Sequence, residues 1–417
     1  MKSGYSHMKC GLLGEHLGHS FSPQIHRELA DYSYELFEVE PNGVENFVKN
    51  GTLDAYNVTI PYKKTVMPFL DVISQEALAI GSVNTVVRKN GKLYGYNTDY
   101  FGFDHMITAS GIEPKGKKAI VFGTGGASVT VCAVLRDRGV SELCVIGIED
   151  NTKENLIKHG DAQIIVNATP VGMYPKNLAA PVDLSLFPKC EGVLDVVYNP
   201  ARTALLLDAE KRNIAYSGGL SMLVAQAVKA FEFFTGDKSE DGITDKILQS
   251  VAATTQNIIL VGMPGCGKST LGKLLAKKLD RPFFDADDEF TSTYGVTPAN
   301  VITEQGEDKF RQMEHDILCE LGKKSGAVIS CGGGAVTREY NYEPLHQNGV
   351  IIFLERALEN LSTHGRPLSQ KSNVQELYAA RIDKYHRFAD IEIKSTEIPD
   401  KTANAVLEAL DGFRYVR

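Results

Sequence analysis

Twice along this chain a near-continuous apolar run breaks into glycines and then resumes as a helical pattern. The first instance is KKAIVFGTGGASVTVCAVLRDRG (117–139); the second is NIILVGMPGCGKSTLGKLLAKKL (257–279). Runs of this kind are what parallel strands covered on both faces require. A glycine turn that opens a helix gathers backbone N–H groups at the positive end of the helix dipole, which suits phosphate. Two such openings predict two nucleotide sites, and a chain of 417 residues has room for two or three domains.

The rest of the composition narrows the class. A formal net charge of −8 argues against a nucleic-acid partner, which needs a basic stripe, but leaves room for small anions. The seven cysteines (10, 132, 144, 190, 266, 319, 331) show no paired spacing, so the pattern predicts reduced thiols and no C-x-x-C structural zinc. The N-terminus lacks the apolar core of a secretion signal, and no stretch approaches ~18 consecutive apolar residues. A soluble, cytoplasmic protein with no membrane partner is expected.

The second opening is the sharper. Gly262-Met-Pro-Gly265-Cys266-Gly267-Lys268-Ser269-Thr270 fits G-x-x-x-x-G-K-[ST] between a strand and a helix. Lys268 would reach the β/γ-phosphates of ATP, and the Ser269 hydroxyl would ligate Mg²⁺. In RPFFDADDEF (281–290), Asp285 and Asp287 stand two apart, facing one side if both end a strand. One carboxylate could serve the metal's water shell and the other an acceptor hydroxyl. Arg311 and Glu314 share a helix face, by default a surface ion pair. Gly332-Gly333-Gly334 lets backbone approach a ligand closely, and Arg366-Pro367-Leu368 suits a lid carrying a charge-stabilising arginine.

The first opening, Gly123-Thr-Gly125-Gly126-Ala127-Ser128, departs from strict G-x-G-x-x-G but has the strand–turn–helix context of a dinucleotide turn. Asn167 and the run D-V-V-Y-N-P (195–200) fit later strand ends of the same unit. Upstream, Ser20 and Ser22 are hydroxyl donors before a helix, suited to a carboxylate or simply to a turn. Lys63 and Asp99 each follow a turn; such a pair offers a proton donor beside its orienting group, or a surface ion pair.

Residues 257–417 resemble shikimate kinase, carried by the P-loop, D-A-D, F-R-x-x-E, the triple glycine, R-P-L, and Arg381 with Tyr385. The resemblance implies that Asp287 holds the reacting hydroxyl as base and Asp285 contacts the Mg²⁺ shell. Arg311, Arg381 and Gly332–Gly334 would bind shikimate, and Arg366 would come from the lid. Asp383 stands where that family usually has proline. Residues 1–250 resemble shikimate dehydrogenase through H-S-F-S-P (19–23), N-V-T-I-P-Y-K (57–63), G-S-V-N-T (81–85), N-T-D (97–99) and G-G-L-S-M-L-V-x-Q-A (218–227). That resemblance makes Lys63 and Asp99 the catalytic dyad. It places Ser20, Ser22, Asn57, Thr59, Asn84, Tyr198 and Gln226 on the substrate, and Gly123, Gly125, Gly126, Ala127, Asn167 and Gly219 on the cofactor.

Two departures concern the cofactor. The family's arginine for the NADP 2′-phosphate is absent; the chain reads Gly147-Ile148-Glu149-Asp150, an acidic turn that suits the ribose of NAD. The segment from 147 to Asn167 is also short, as if one helix–strand piece were missing. The expected fold is α/β: a substrate domain over 1–100 rejoined by helices at 220–250, and a Rossmann-like NAD(P) domain over 101–219. A P-loop, nucleoside-monophosphate-kinase-like parallel-sheet domain follows over 253–417. The expected function is bifunctional: 3-dehydroshikimate is reduced to shikimate with NADP (or NAD), and shikimate is then phosphorylated with ATP and Mg²⁺. The alternatives are an NAD-dependent quinate/shikimate dehydrogenase fused to the kinase, or a non-catalytic metabolite sensor.

Overall fold

The structure, a computed structural model, describes residues 2–18, 20–361 and 374–416. Three sheets follow one another along the chain. The first contains β1 (Lys9–Gly14), β2 (Ser33–Glu38), β3 (Ala55–Val58), β4 (Val72–Ile73), β5 (Thr85–Lys89) and β6 (Lys92–Tyr96) in the order β2-β1-β3-β5-β6-β4. It is mixed, because β5 and β6 form an antiparallel hairpin. The hairpin turns on Asn90-Gly91, both at positive φ, as a two-residue turn matching strand twist requires.

The second sheet is all parallel: β7 (Lys118–Phe122), β8 (Glu142–Ile146), β9 (Ile164–Asn167), β10 (Gly192–Asp195) and β11 (Ala215–Gly218), ordered β11-β10-β9-β7-β8. From β8 the chain reaches β9 through one short helix, Lys153–Ile157, so β8 is the sheet's edge. The chain leaves β7 to β8 on one side and returns to β9 on the other, which makes the end of β7 the topological switch point.

The third sheet is also parallel, with β12 (Asn257–Val261) central, flanked by β14 (Val328–Ser330) and β15 (Gly349–Glu355), with β13 (Phe283–Asp285) and β16 (Ile391–Lys394) outside. β12 is buried at every position, as its unbroken NIILV run demands.

Helices Gly219–Thr235 and Ile243–Thr255 return to the first sheet, where Leu220, Val224, Phe231, Ile247 and Val251 pack with Cys10, Ile25 and Leu29. The second of these helices ends at Thr255 and β12 begins at Asn257, leaving Gln256 alone between them. The third sheet also docks on the second. Arg202 donates from Nε to His346 O (3.0 Å), from Nη2 to Gly349 O (3.1 Å) and from its backbone N–H to Gln347 O (2.8 Å). The Asn177 side-chain amide donates to Gln347 Oε1, the Gln347 amide donates back to the Asn177 backbone O (2.6 Å), and the Tyr174 hydroxyl donates to Gly322 O (3.1 Å). At the C-terminus, Gln249 clamps the tail, accepting from Tyr415 N (2.8 Å) and donating to Val416 O (3.1 Å). Among the described residues, no helix is long and apolar enough to cross a membrane.

Candidate active sites

In the third sheet the phosphate loop joins β12 to helix Lys268–Leu279. Gly262, Gly265 and Gly267 have φ of 150°, 84° and 100°, conformations that side chains disfavour. The buried Lys268 ammonium lies against the loop, donating to Gly262 O (2.9 Å) and Met263 O (3.1 Å), with Cys266 Sγ at 3.9 Å. The Ser269 hydroxyl donates to Asp285 Oδ2 (2.6 Å). Hydroxyl and carboxylate are hard oxygen donors in contact, the chemistry Mg²⁺ takes. Ser330, buried at the end of β14, lies 3.4 Å from Ser269 Oγ and escaped sequence reasoning, since a serine closing an apolar run carries no motif.

Asp285 and Asp287 do not share a strand face. β13 stops at Asp285, whose carboxylate caps helix Ala286–Tyr294 by accepting from Asp287 N (3.1 Å); Asp287 lies in that helix's first turn. The two carboxylates converge by capping rather than by the two-residue strand period. Asp287 is solvent-accessible, yet protein crowding and then the charge of Asp285 raise its pKa, with Lys268 and Arg311 opposing.

Arg311 is no surface residue: it and Glu314 are 2% and 4% exposed, joined at 2.6 Å, with Glu307 holding the other edge of the guanidinium (3.0 Å). This pair together with Pro264 explains the three glycines. A Cβ on Gly334 would fall 2.0 Å from Arg311 Nη2, one on Gly333 2.6 Å from Pro264, and one on Gly332 2.7 Å from Glu314 Oε1. Arg381 Nη1 (3.0 Å) and the Tyr385 hydroxyl (2.5 Å) both donate to Gly333 O, bringing a second arginine to the same loop. Among the described residues Glu314 Oε1 is buried without a partner, and burial raises the Glu314 pKa against the pull of Arg311. Two arginines, one orphan acceptor and one accessible carboxylate suit a small anionic polyol. Asp383 occupies the first turn of helix Ile382–Phe388, where negative charge is favourable. Arg366 lies outside the described residues.

Between the first two sheets, Lys63 Nζ meets Asp99 Oδ2 at 2.5 Å, both half-buried. Lys63 sits in the turn after β3, tied to β5's approach because its carbonyl accepts from Val83 N (2.8 Å). Asp99 opens helix Asp99–Ser110, and Asn84 pins that opening by accepting from Thr98 N (2.7 Å). The Thr98 hydroxyl lies 3.2 Å from both Asn84 Oδ1 and Gln226 Oε1. Asn57 joins this buried network by donating to Thr85 Oγ1 (3.1 Å) and accepting from the Tyr34 hydroxyl (2.8 Å). Tyr34, Thr85 and Thr98 are therefore site-shaping residues to which sequence reasoning gave no role; Thr85 and Thr98 lie within the segments 81–85 and 97–99, and Tyr34 lies in none of the recognised segments. Ser20 Oγ accepts from Ser22 N (3.2 Å) at the start of helix Ser22–Leu29, and Tyr198 packs edge-on against Phe21 at 5.5 Å. Thr59 is half-buried, its N–H donated to Leu13 O (2.9 Å); His19 lies outside the described residues.

The glycine turn lies at the switch point after β7. Gly123, at φ 110°, donates its N–H to Ile146 O (2.9 Å), and a Cβ there would meet Ala168 O at 2.9 Å. At Gly125 and Gly126 a Cβ would meet nothing within 4 Å, so their backbone faces open space at the start of helix Gly126–Asp137, with Ala127 next. That cradle fits a pyrophosphate. Asn167 is fully buried, donating to Asp195 Oδ1 (2.9 Å) and Val171 O (3.0 Å) and accepting from Thr169. Gly219 opens its helix where a Cβ would strike Val196 O at 2.1 Å. Glu149 and Asp150 are exposed in the turn after β8.

Comparison with known proteins gives two family matches. A shikimate kinase model matches residues 264–411, and a model of the shikimate dehydrogenase substrate binding domain matches residues 12–86. The curated shikimate dehydrogenase (NADP(+)) of Clostridium beijerinckii is 37% identical over 269 residues, covering 59% of this chain and 97% of that one. Among solved structures, shikimate dehydrogenase 1 from Peptoclostridium difficile is 36% identical with a TM-score of 0.53, over 58% of this chain and 97% of that one. A chorismate mutase/shikimate 5-dehydrogenase fusion from Clostridium acetobutylicum is 33% identical with a TM-score of 0.55, over 58% and 96%.

Proposed function

Because the chain belongs to the shikimate dehydrogenase family and carries a shikimate kinase domain behind it, we propose that one polypeptide performs both reactions in sequence. It reduces 3-dehydroshikimate to shikimate with NAD(P)H, then phosphorylates shikimate to shikimate 3-phosphate with ATP and Mg²⁺. Residues 1–100 with the helices at 220–250 take the dehydrogenase substrate, 101–219 the dinucleotide, and 253–417 the kinase reaction. The location is cytoplasmic.

Bound NADPH supplies the hydride. Lys63 gives a proton to the carbonyl oxygen being reduced, and Asp99, 2.5 Å away, holds the ammonium in place. General acid help of this kind contributes roughly 10²–10⁴ in rate. Ser20, Ser22, Asn57, Thr59, Asn84, Tyr198 and Gln226 fix the substrate's carboxylate and hydroxyls. In the kinase, Arg311, Arg381 and the Gly332–Gly334 loop hold the shikimate carboxylate and ring hydroxyls. Asp287 takes the proton of the attacking hydroxyl. Its raised pKa makes it a better base than an ordinary carboxylate. Ser269 and Asp285 would hold Mg²⁺, which offsets phosphate charge.

The observation that carries the kinase reading is the convergence of Arg311 and Arg381 on one glycine loop beside Asp287. The acidic Glu149-Asp150 turn favours a second reading of the cofactor, in which NADH competes well with NADPH. A sensor role is disfavoured, since Lys63, Asp99, Lys268 and Asp287 are all in place. Both half-reactions should be assayed on the intact chain with NADP and NAD in parallel. Absence of ATP-dependent phosphorylation of shikimate would remove the kinase assignment; absence of shikimate oxidation with either dinucleotide would remove the other.

A further inference from the structure

The edge strand β8 carries a second constellation, away from both reaction centres. Glu142 and Cys144 stand two apart on this strand, so their side chains leave the same face. The turn after helix Lys153–Ile157 brings His159 down on that face. Cys144 Sγ lies 3.6 Å from His159 Nδ1 and 3.4 Å from Glu142 Oε1, and the three donor atoms all lie within 4.8 Å of one another. Among the described residues no other group of His, Cys, Asp and Glu converges this way.

Those separations are the edges of a coordination polyhedron. With Zn–S near 2.3 Å and Zn–N or Zn–O near 2.1 Å, a tetrahedral centre sets its ligand atoms about 3.5 Å apart. One thiolate, one imidazole and one carboxylate select a borderline-soft divalent ion over Mg²⁺. The surrounding charge agrees. Lys118 Nζ lies 3.0 Å from Glu142 Oε1 and 3.0 Å from Asp161 Oδ1. Glu142, Asp161 and a Cys144 thiolate against Lys118 sum to −2, matching a divalent cation. Glu142 is exposed, and Cys144 and His159 are half-buried, which leaves a solvent side for a fourth, water ligand.

We propose that Glu142, Cys144 and His159 form a zinc-type site that fastens the 157–161 turn to the edge of the dinucleotide sheet. The direct passage from β8 to β9 explains the placement. Among the described residues no further strand covers β8, so a metal ion takes over the job of tying this turn down. The site is structural in position: it lies on the sheet face covered by Leu156 and Ala162, not at the glycine turn.

Cobalt(II) tests the site, because a thiolate ligand gives cobalt a near-ultraviolet charge-transfer band that oxygen donors do not. The full chain, stripped with a chelator, is titrated with Co²⁺ and then with Zn²⁺ in competition. The expected result is a thiolate band saturating at one equivalent and displaced by Zn²⁺. Cys144→Ser should abolish it, and His159→Ala should weaken binding at least tenfold. Cys319→Ser should leave it unchanged, although Cys319 also neighbours a histidine, His315, at 3.5 Å. Shikimate oxidation by each variant, which needs the dinucleotide sheet intact, serves as the folding control. The proposal is overturned if active wild-type protein shows no thiolate band, or if the band survives in Cys144→Ser.

Discussion

Replacing Arg202 with methionine removes a guanidinium that ties the two halves together while keeping most of its stem. The side chain is 20% exposed and donates to the carbonyls of His346 and Gly349; Glu210 neutralises it at 3.3 Å. Hydrogen bonds from charged groups contribute roughly 1.5–3 kcal/mol each. Two of them lost, discounted for water reaching the freed carbonyls, give about 3 kcal/mol at the interface. The Arg202 backbone bond to Gln347 O survives the change. For a unit of 150–250 residues, that loss corresponds to roughly 6–12 °C in melting midpoint. Calorimetry of the intact chain should show a transition in the wild type that splits in R202M, its kinase component moving down by this amount. Asn177→Ala, which removes the bond from its side-chain amide to Gln347 Oε1 but keeps the one its backbone carbonyl accepts, should shift it in the same direction by less. Kinase kcat at saturating shikimate should hold, since neither residue touches that site. If R202M melts within ~2 °C of wild type as a single transition, the guanidinium contacts do not stabilise the docked arrangement.

The two activities should separate cleanly. Lys63→Met is expected to lower dehydrogenase kcat by roughly 10²–10⁴ with phosphorylation intact, and Asp287→Asn to do the reverse. Parallel steady-state assays decide, and loss of both activities in either variant would contradict the assignment. Wild-type kinase activity should climb with pH through a value above the ordinary carboxylate range, because protonated Asp287 cannot accept the hydroxyl proton. Glu149→Arg should raise the kcat/KM preference for NADPH over NADH; an unchanged ratio would mean that the turn does not face the 2′-position. Burial pushes the Asp195 carboxyl up to about 6 from 3.8, against its bonds from Thr203, Val197 and Asn167. The folded state holds that proton more tightly than the unfolded chain. The contribution to stability is therefore complete below about pH 4 and lost as pH rises through 6, on the order of 3 kcal/mol. Urea midpoints of wild type and Asp195→Asn should diverge between pH 4.5 and 7.5, the wild type losing more. A pH-independent difference would rule out the buried carboxyl as the cause.

What could be read from sequence were positions where backbone shape and residue type coincide. The phosphate loop is one: each glycine there meets a φ or a close contact that excludes a side chain. The triple glycine is another, although its packing partners, Arg311 and Pro264, come from elsewhere in the chain and emerge only in three dimensions. The Asp285/Asp287 pair was found for an incomplete reason. Strand periodicity placed them together, whereas a helix cap does so, and the boundary between strand and helix has no sharp sequence mark. Arg311 and Glu314 looked like a surface pair because spacing reports a shared helix face but not what covers it. The Arg202 and Asn177 docking contacts left no pattern at all, since they recognise backbone carbonyls and a single glutamine side chain. Cysteine spacing likewise looks for neighbours in sequence. A group built from a strand and a distant turn, as at Cys144 and His159, lies outside its reach.

Gln256 stands alone between a helix buried in the dehydrogenase core and the central strand of the kinase. A junction this short behaves as a keyed shaft rather than a tether. Each residue added to or removed from helix Ile243–Thr255 would turn the kinase by about 100° and shift it by about 1.5 Å. Such a change would carry His346 and Gly349 away from Arg202 at once. An insertion or deletion at this point would therefore have to rebuild the docking surface as well. Grafting another kinase onto this dehydrogenase would have to preserve helical phase before it preserved anything else.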